Sequence, residues 1–268
     1  MIFSFIIPTF NRLNHVLNAV ESAKKFINFD DNYEIIVIDD CSIDRTYDVL
    51  CDKYKLDIEK GKLKVVKLNK NTGVVAARNE GAKVAMGEWL IFLDSDNEII
   101  SDNKIEFEKI LFNTTSILVM FRCIDDNHNL IGPQEINSIM TYKLAINNDY
   151  CETLGVCKKE YYLEEYTKKD VVELRRFESI AFYRLLKKYQ PFEIYNLIMR
   201  KYSYNAIDRL SSSKGVIKDS NLFLKGYIIL IKDHFWCMGI KKLTKCIAAV
   251  CFYTLHVIIN KIRVLSFR

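Results

Sequence analysis

Trp89-Leu90-Ile91-Phe92-Leu93-Asp94-Ser95-Asp96 decides the fold: five apolar residues run straight into two carboxylates one residue apart. An uninterrupted apolar run of this length reads as a strand buried on both faces, as in a parallel sheet covered by helices. The same grammar recurs outward from it. Residues 2–7, apolar but for Ser4, stop at Pro8, residues 33–38 end at Asp39-Asp40, and residues 63–68 and 117–121 supply two further runs. Between them Leu13, Val16, Leu17, Val20 and Ala23 fall on one helical face. Residues 46–54 read as a short helix, and the alanine-rich stretch 74–86 as another that Gly87 closes. Short strands alternating with helices predict an α/β fold, a Rossmann-like and mostly parallel sheet flanked by helices. In such sheets ligands bind beyond the carboxyl ends of the strands. Here those ends are Pro8-Thr9-Phe10-Asn11, Asp39-Asp40-Cys41-Ser42 and Asp94-Ser95-Asp96, so polar and mainly acidic groups converge on one rim.

The chain has 268 residues, 50% of them hydrophobic, with three prolines and nine glycines. That is enough apolar side chain for a real core and excludes collagenous or disordered chains. The net charge of +5 conceals a gradient: residues 1–120 carry −4, 121–199 carry −1, and 200–268 carry +10. A basic tail implies an anionic partner. Eight cysteines show no CxxC spacing, which predicts reduced thiols and a cytoplasmic setting over a disulfide framework. The apolar start through Pro8 lacks a basic region and a small-residue cleavage site, and reads as a first strand.

Two carboxylates on one turn, Asp94 and Asp96, can grip a hard divalent cation and leave positions for phosphate oxygens. The alternative is an ordinary acidic turn in which Asp96 or Asn97 caps a helix; three strand ends pointing the same way favour the metal. Asp39 or Asp40 can accept from the N–H of a planar base, while Ser42 and Asp44 suit helix capping. Arg78, in the small-residue helix after Asn71-Thr72-Gly73, either reaches an anionic phosphate or is paired to an acid.

Taken in order, Phe5–Arg12 (FIIPTFNR), Ile36–Asp44 (IVIDDCSID), Asn71-Thr72-Gly73 with Ala77-Arg78-Asn79-Glu80-Gly81, and Trp89–Asp96 resemble the motif series of family 2 glycosyltransferases, inverting enzymes of the GT-A fold. The resemblance spans about residues 2–120. It implies a nucleoside-diphosphate sugar donor, a uridine diphosphate sugar favoured, and Mg2+ or Mn2+ at the end of the fourth strand. Carried over, Pro8, Thr9 and Phe10 lie near the base and Asp40, with Asp39 beside it, contacts it. Asp94 and Ser95 lie toward the ribose and diphosphate, and Asp96 is the metal ligand. Cys41 departs from the Gly or small polar residue usual in the family. The family also uses a carboxylate base at a helix start in its second half; Arg176-Phe177-Glu178-Ser179 matches with one acid where a pair is usual, which makes Glu178 the base, with Glu173 and Asp170 as fallbacks. Arg209 falls where a loop near the diphosphate is common.

The expected organisation is a GT-A domain over residues 1–215, divided into a nucleotide-sugar half (1–120) and an acceptor half (121–215), then a basic amphipathic helical extension over 216–268. The longest uncharged stretch there, residues 246–260, falls short of a bilayer span, so the extension is expected to lie on an anionic membrane surface at the inner face of the cell membrane. The expected acceptor is a glycan or a lipid-linked glycan; no nucleic-acid motif accompanies the basic tail. Two rivals fit less well. A sugar-phosphate nucleotidyltransferase needs a glycine-rich loop after strand one, and Pro8–Arg12 has no glycine. A non-catalytic sugar-nucleotide-binding protein on the membrane would tolerate loss of Asp94 or Asp96, and both are present.

Overall fold

The first four strands form where the apolar runs lie: β1 (Phe3–Thr9), β2 (Tyr33–Asp39), β3 (Leu63–Lys67) and β4 (Trp89–Phe92). The computed structural model describes residues 3–28, 32–134, 138–148, 151–174, 177–203 and 219–266, the last six as backbone only. Every residue of β1 and β2 is buried, which is why neither shows a polar alternation. Helices α1 (Leu13–Ile27), α2 (Thr46–Lys53) and α4 (Val74–Val84) connect them, with a short α3 (Lys55–Glu59) after α2. The rest comprises β5 (Glu98–Ile99), α5 (Lys104–Asn113), β6 (Leu118–Ile124), β7 (Ile139–Met140) and α6 (Tyr142–Asn147). Then come β8 (Thr153–Lys158), α7 (Lys159–Tyr166), α8 (Lys169–Glu173), α9 (Glu178–Tyr189) and β9 (Phe192–Lys201). Two helices end the described chain, α10 (Ser220–His234) and α11 (Ile240–Ser266), joined through a 3-10 turn at Phe235–Cys237.

Among the described residues one sheet runs β3-β2-β1-β4-β8-β6-β9-β5, with β7 on β9. It is parallel from β3 through β4 and mixed beyond, because β8 inserts antiparallel between β4 and β6. The chain leaves β1 toward β2 on one side and returns as β4 on the other. The β1/β4 boundary is therefore the switch point at which a doubly wound sheet opens a crevice. The crevice has a local cause. Pairing of β1 with β4 stops at Ile6↔Phe92, closed by the Leu93 N–H on the Ile6 carbonyl (3.1 Å). Pro8, which has no N–H to give, occupies the next position facing β4.

Two cores lie on opposite faces. Phe5 and Ile7 pack with Val16, Leu50 and Phe107 on one; Ile6, Ile36 and Ile38 pack with Ala77, Ile180 and Leu230 on the other. Helix α4 rides close to the second face because of Gly81. A Cβ there would stand 2.5 Å from Ile6 Cγ2 and 3.2 Å from Ile38 Cγ1, an overpacking of about 1–3 kcal/mol. Gly87 does not cap α4 as expected. The helix ends at Val84, residues 85–87 run extended, and the Met86 and Gly87 N–H groups donate to the buried Glu34 carboxylate at 2.5 and 3.3 Å. Burial opposes the charge on Glu34, but hydrogen bonds from Ser4, Lys64 and Met86 hold its carboxyl below the usual range.

The Asp125–Pro133 stretch is a hairpin-like turn, bridged at Ile124↔Leu130 and pinned by the buried Arg122 on the Ile131 and Pro133 carbonyls. All eight cysteines are free. Both the expected domain boundary at 215/216 and Arg209 lie outside the described residues. The extension is helical, as read, but α11 is longer than its uncharged stretch: 21 residues, 240–260, are long and apolar enough to cross a membrane, an 18-residue window within them having a mean hydropathy of 1.5.

Candidate active site

The polar strand ends meet through hydrogen bonds. At the end of β1 the chain turns on Asn11 in the left-handed region (φ 52°), and at the end of β2 on Cys41 (φ 68°). These turns are stapled together: the Asn11 N–H donates to Ser42 Oγ (2.8 Å), and the Ile43 N–H to Asn11 Oδ1 (2.8 Å). A left-handed backbone at Cys41 explains why glycine is usual there; a β-carbon adds about 1–2 kcal/mol of steric strain.

Asp39 and Asp40, both buried, divide the work. Asp39 Oδ1 accepts from the Ser42 N–H (3.0 Å) and shapes the turn, while its Oδ2 has no partner among the described residues. Asp40 holds the loop before α4: Oδ1 accepts from the Thr72 N–H and hydroxyl (2.7 and 2.9 Å), and Oδ2 from the Gly73 N–H (2.7 Å). Three of roughly four lone-pair positions are thus occupied, leaving one on Oδ2 for a ligand donor. Pro8 is buried in β1 and Thr9 is 3% exposed, whereas Phe10 is 42% exposed on the rim and is the one of the three that can stack on a ring.

The turn after β4 carries the acids. Asn97 N–H closes it on the Asp94 carbonyl (3.0 Å), Ser95 is buried, and the carboxylates of Asp94 and Asp96 each find an arginine. Arg12, from the end of β1, donates to Asp96 Oδ2 at 2.8 Å. Arg78, from α4, donates to Asp94 Oδ1 at 2.5 Å and to Glu178 Oε2 at 2.8 Å. Glu178 is the first residue of α9 and lies 100 positions from Arg78 in the chain, so this guanidinium is what brings the expected base to the acidic turn. Glu173 and Asp170 go elsewhere. Glu173 is exposed beside Lys169, and Asp170 is held by Arg184, which also binds Asp233 of α10.

Charge sets the state of these groups. Burial alone would push Asp94 up, but the charges of Arg78, Arg200 and Arg12 outweigh it and hold the carboxyl below the usual range. Burial works against the Arg78 cation too; Asp94 and Glu178 more than offset this and keep it protonated. Its guanidinium carbon lies 6.0 Å from the centre of the Phe92 ring, which packs on Tyr162 and through it on Tyr166. Arg12 and Arg200 were not foreseen. Arg200, buried in β9 and held by Cys123 and Glu152, owes its place to strand pairing that no local sequence signal gives.

A metal fits here only in company. Among the described residues no three His, Cys, Asp or Glu side chains converge to hold an ion. Asp94 and Asp96 supply two carboxylates on one turn, each with one oxygen on an arginine. That donor set matches Mg2+ or Mn2+ completed by substrate phosphate oxygens rather than by a protein cage.

Residues 4–159 match the profile of glycosyl transferase family 2. The putative teichuronic acid biosynthesis glycosyltransferase TuaG of Bacillus subtilis is 35% identical over 95 residues, 35% of this chain and 36% of that protein. The poly(ribitol-phosphate) beta-N-acetylglucosaminyltransferase TarS of Staphylococcus aureus is 37% identical over 100 residues, 37% of this chain and 17% of TarS. These matches span well under half the length of either relative. The crystal structure of TarS 1–349 in complex with UDP-GlcNAc superposes with a TM-score of 0.63 at 17% identity, over 96% of this chain and 82% of that one, which shows a shared GT-A fold.

Proposed function

Because this chain belongs to glycosyl transferase family 2, we propose that it transfers a sugar from a nucleoside-diphosphate donor, a uridine diphosphate sugar favoured, to an acceptor hydroxyl with inversion, in cell-surface polysaccharide or glycolipid synthesis. The observation that carries this reading is the Asp94–Arg78–Glu178 chain, which joins the diphosphate end of the crevice to a carboxylate on its acceptor side.

The roles follow from the geometry. Phe10 offers its exposed ring to the base, and the remaining lone pair of Asp40 accepts from a base N–H. Asp94 and Asp96 would hold the divalent cation, Mg2+ or Mn2+, and that cation would neutralise charge gathering on the departing diphosphate. Glu178 takes the proton of the acceptor hydroxyl as the new bond forms. Arg78 aims Glu178, donating to its Oε2 at 2.8 Å. Names of relatives support the chemistry: TarS is a beta-N-acetylglucosaminyltransferase and TuaG is placed in teichuronic acid biosynthesis. The crystallised complex of TarS with UDP-GlcNAc supports the choice of donor.

The test is a transfer assay over a panel of nucleoside-diphosphate sugars with Mg2+ or Mn2+. Glu178→Gln is expected to lower turnover by about 10²–10⁴-fold while donor-induced thermal stabilisation persists. Asp96→Ala is expected to lose the metal-dependent part of that stabilisation. Full turnover by Glu178→Gln would remove the base assignment. Metal-dependent stabilisation unchanged in Asp96→Ala would remove the metal assignment.

A further inference from the structure

The turn between α10 and α11 presents large apolar side chains to solvent: Trp236 is 93% exposed, Ile240 84% and Phe235 43%. The turn is fastened. Asn147, the last residue of α6, accepts from the Gly239 N–H through Oδ1 (2.6 Å) and donates through Nδ2 to the Cys237 carbonyl (3.0 Å). One amide thus clamps both sides of the turn and fixes the stretch that carries Trp236.

Helix α11 continues this surface with two unlike faces. Its inner face packs on the protein: Cys246 is buried, and Tyr253 stacks on Phe223 and Tyr227 of α10. On its outer side Ile247, Phe252, Leu255 and Ile258 are each about half exposed, a contiguous apolar stripe of the kind that soluble surfaces seldom carry. Lys241 and Lys245 are exposed at its start with Lys242 between them.

We propose that the α10–α11 hairpin seats the protein on an anionic lipid bilayer, Trp236 entering the interface at the turn, the α11 stripe lying in the headgroup boundary and the three lysines meeting lipid phosphates. An aromatic wedge, an apolar stripe and flanking cations are the combination such surfaces attract. Charge argues against a second copy on this face, since that would set the lysine clusters against each other. The stacking of Tyr253 on Phe223 and Tyr227 docks α11 along α10. This surface is separate from the catalytic rim, so its failure and that of the transferase reading are distinguishable.

The test uses the full chain with phosphatidylglycerol-rich and pure phosphatidylcholine vesicles. Trp89 is fully buried, so a blue shift of tryptophan emission on mixing reports Trp236. Binding to the anionic vesicles is expected, weakened by salt. The triple substitution Lys241→Gln, Lys242→Gln, Lys245→Gln is expected to reduce partitioning by about fivefold per lysine, on the order of a hundredfold in all. Trp236→Ala is expected to lose the blue shift while keeping transfer to a soluble acceptor. Equal binding to both vesicles, binding indifferent to salt, or self-association broken by these substitutions without vesicle binding would each overturn the proposal. The salt titration of the unaltered chain decides the matter even if the triple variant misfolds.

Discussion

At the sheet rim the central acids each have a cation at hydrogen-bond distance: Asp96 has Arg12, and Asp94 and Glu178 share Arg78. In α11 Lys241 and Lys245 stand exposed beside apolar side chains. The same Coulomb attraction acts in both places: at the rim it pairs acids with arginines inside the protein, and at the hairpin it gathers cations beside an exposed apolar surface. A net charge of +5 averages these two arrangements and describes neither.

The sharpest way to break that contrast is Arg78→Met, which leaves Asp94 and Glu178 as two neighbouring anions in a half-buried site. Removing one member of a buried ion cluster costs about 3–5 kcal/mol, reduced here by solvent at both acids to about 2 kcal/mol. A lower melting temperature is expected, with the acid limb of the activity profile moved to higher pH. A variant as stable as the parent, with an unmoved limb, would mean that the acids do not depend on this guanidinium.

An effect of comparable size separates the hairpin's root from the rim by pH. His234, buried at the end of α10, sits 2.6 Å from the Tyr142 hydroxyl through Nδ1, and its Nε2 has no partner among the described residues. Burial is the main cause that depresses its pKa to about 4. The unfolded chain then binds a proton that the folded chain refuses, so stability is lost as pH falls from about 6.5 toward 4, by about 2–3 kcal/mol. Asp94, whose carboxyl is also held low, keeps its contribution through that window and loses it only at more acid pH. Chemical denaturation at several pH values should show the first loss in the parent and not in His234→Gln. The smallest change is Cys41→Gly, which relieves the left-handed φ and should stabilise by up to about 1 kcal/mol; no gain in the unfolding midpoint would mean that the turn is not strained.

Much of this was legible. Strands β1, β2 and β4 are nearly continuous apolar runs because they are buried on both faces; Asp94 and Asp96 were singled out from position and residue type, Glu178 from the family resemblance, and Arg78 joins Asp94 to Glu178. The second half was not. Strand β8 is short, includes Gly155 and lies between two strands that it meets antiparallel, so no run of β-branched residues marks it. Strand β9 loses its alternation where the register against β6 jumps from Phe121↔Tyr195 to Arg122↔Ile198. Arg12 was read inside a motif but not as a partner of Asp96, since nothing local tells that the ends of β1 and β4 meet across the switch point.

Pro8 has a wider consequence. The gap between β1 and β4 opens where the backbone can no longer pair, so the cleft's outline belongs to the main chain and the acids merely furnish it. Replacements of Asp94, Asp96 or Glu178 should therefore leave the break between β1 and β4 where it is.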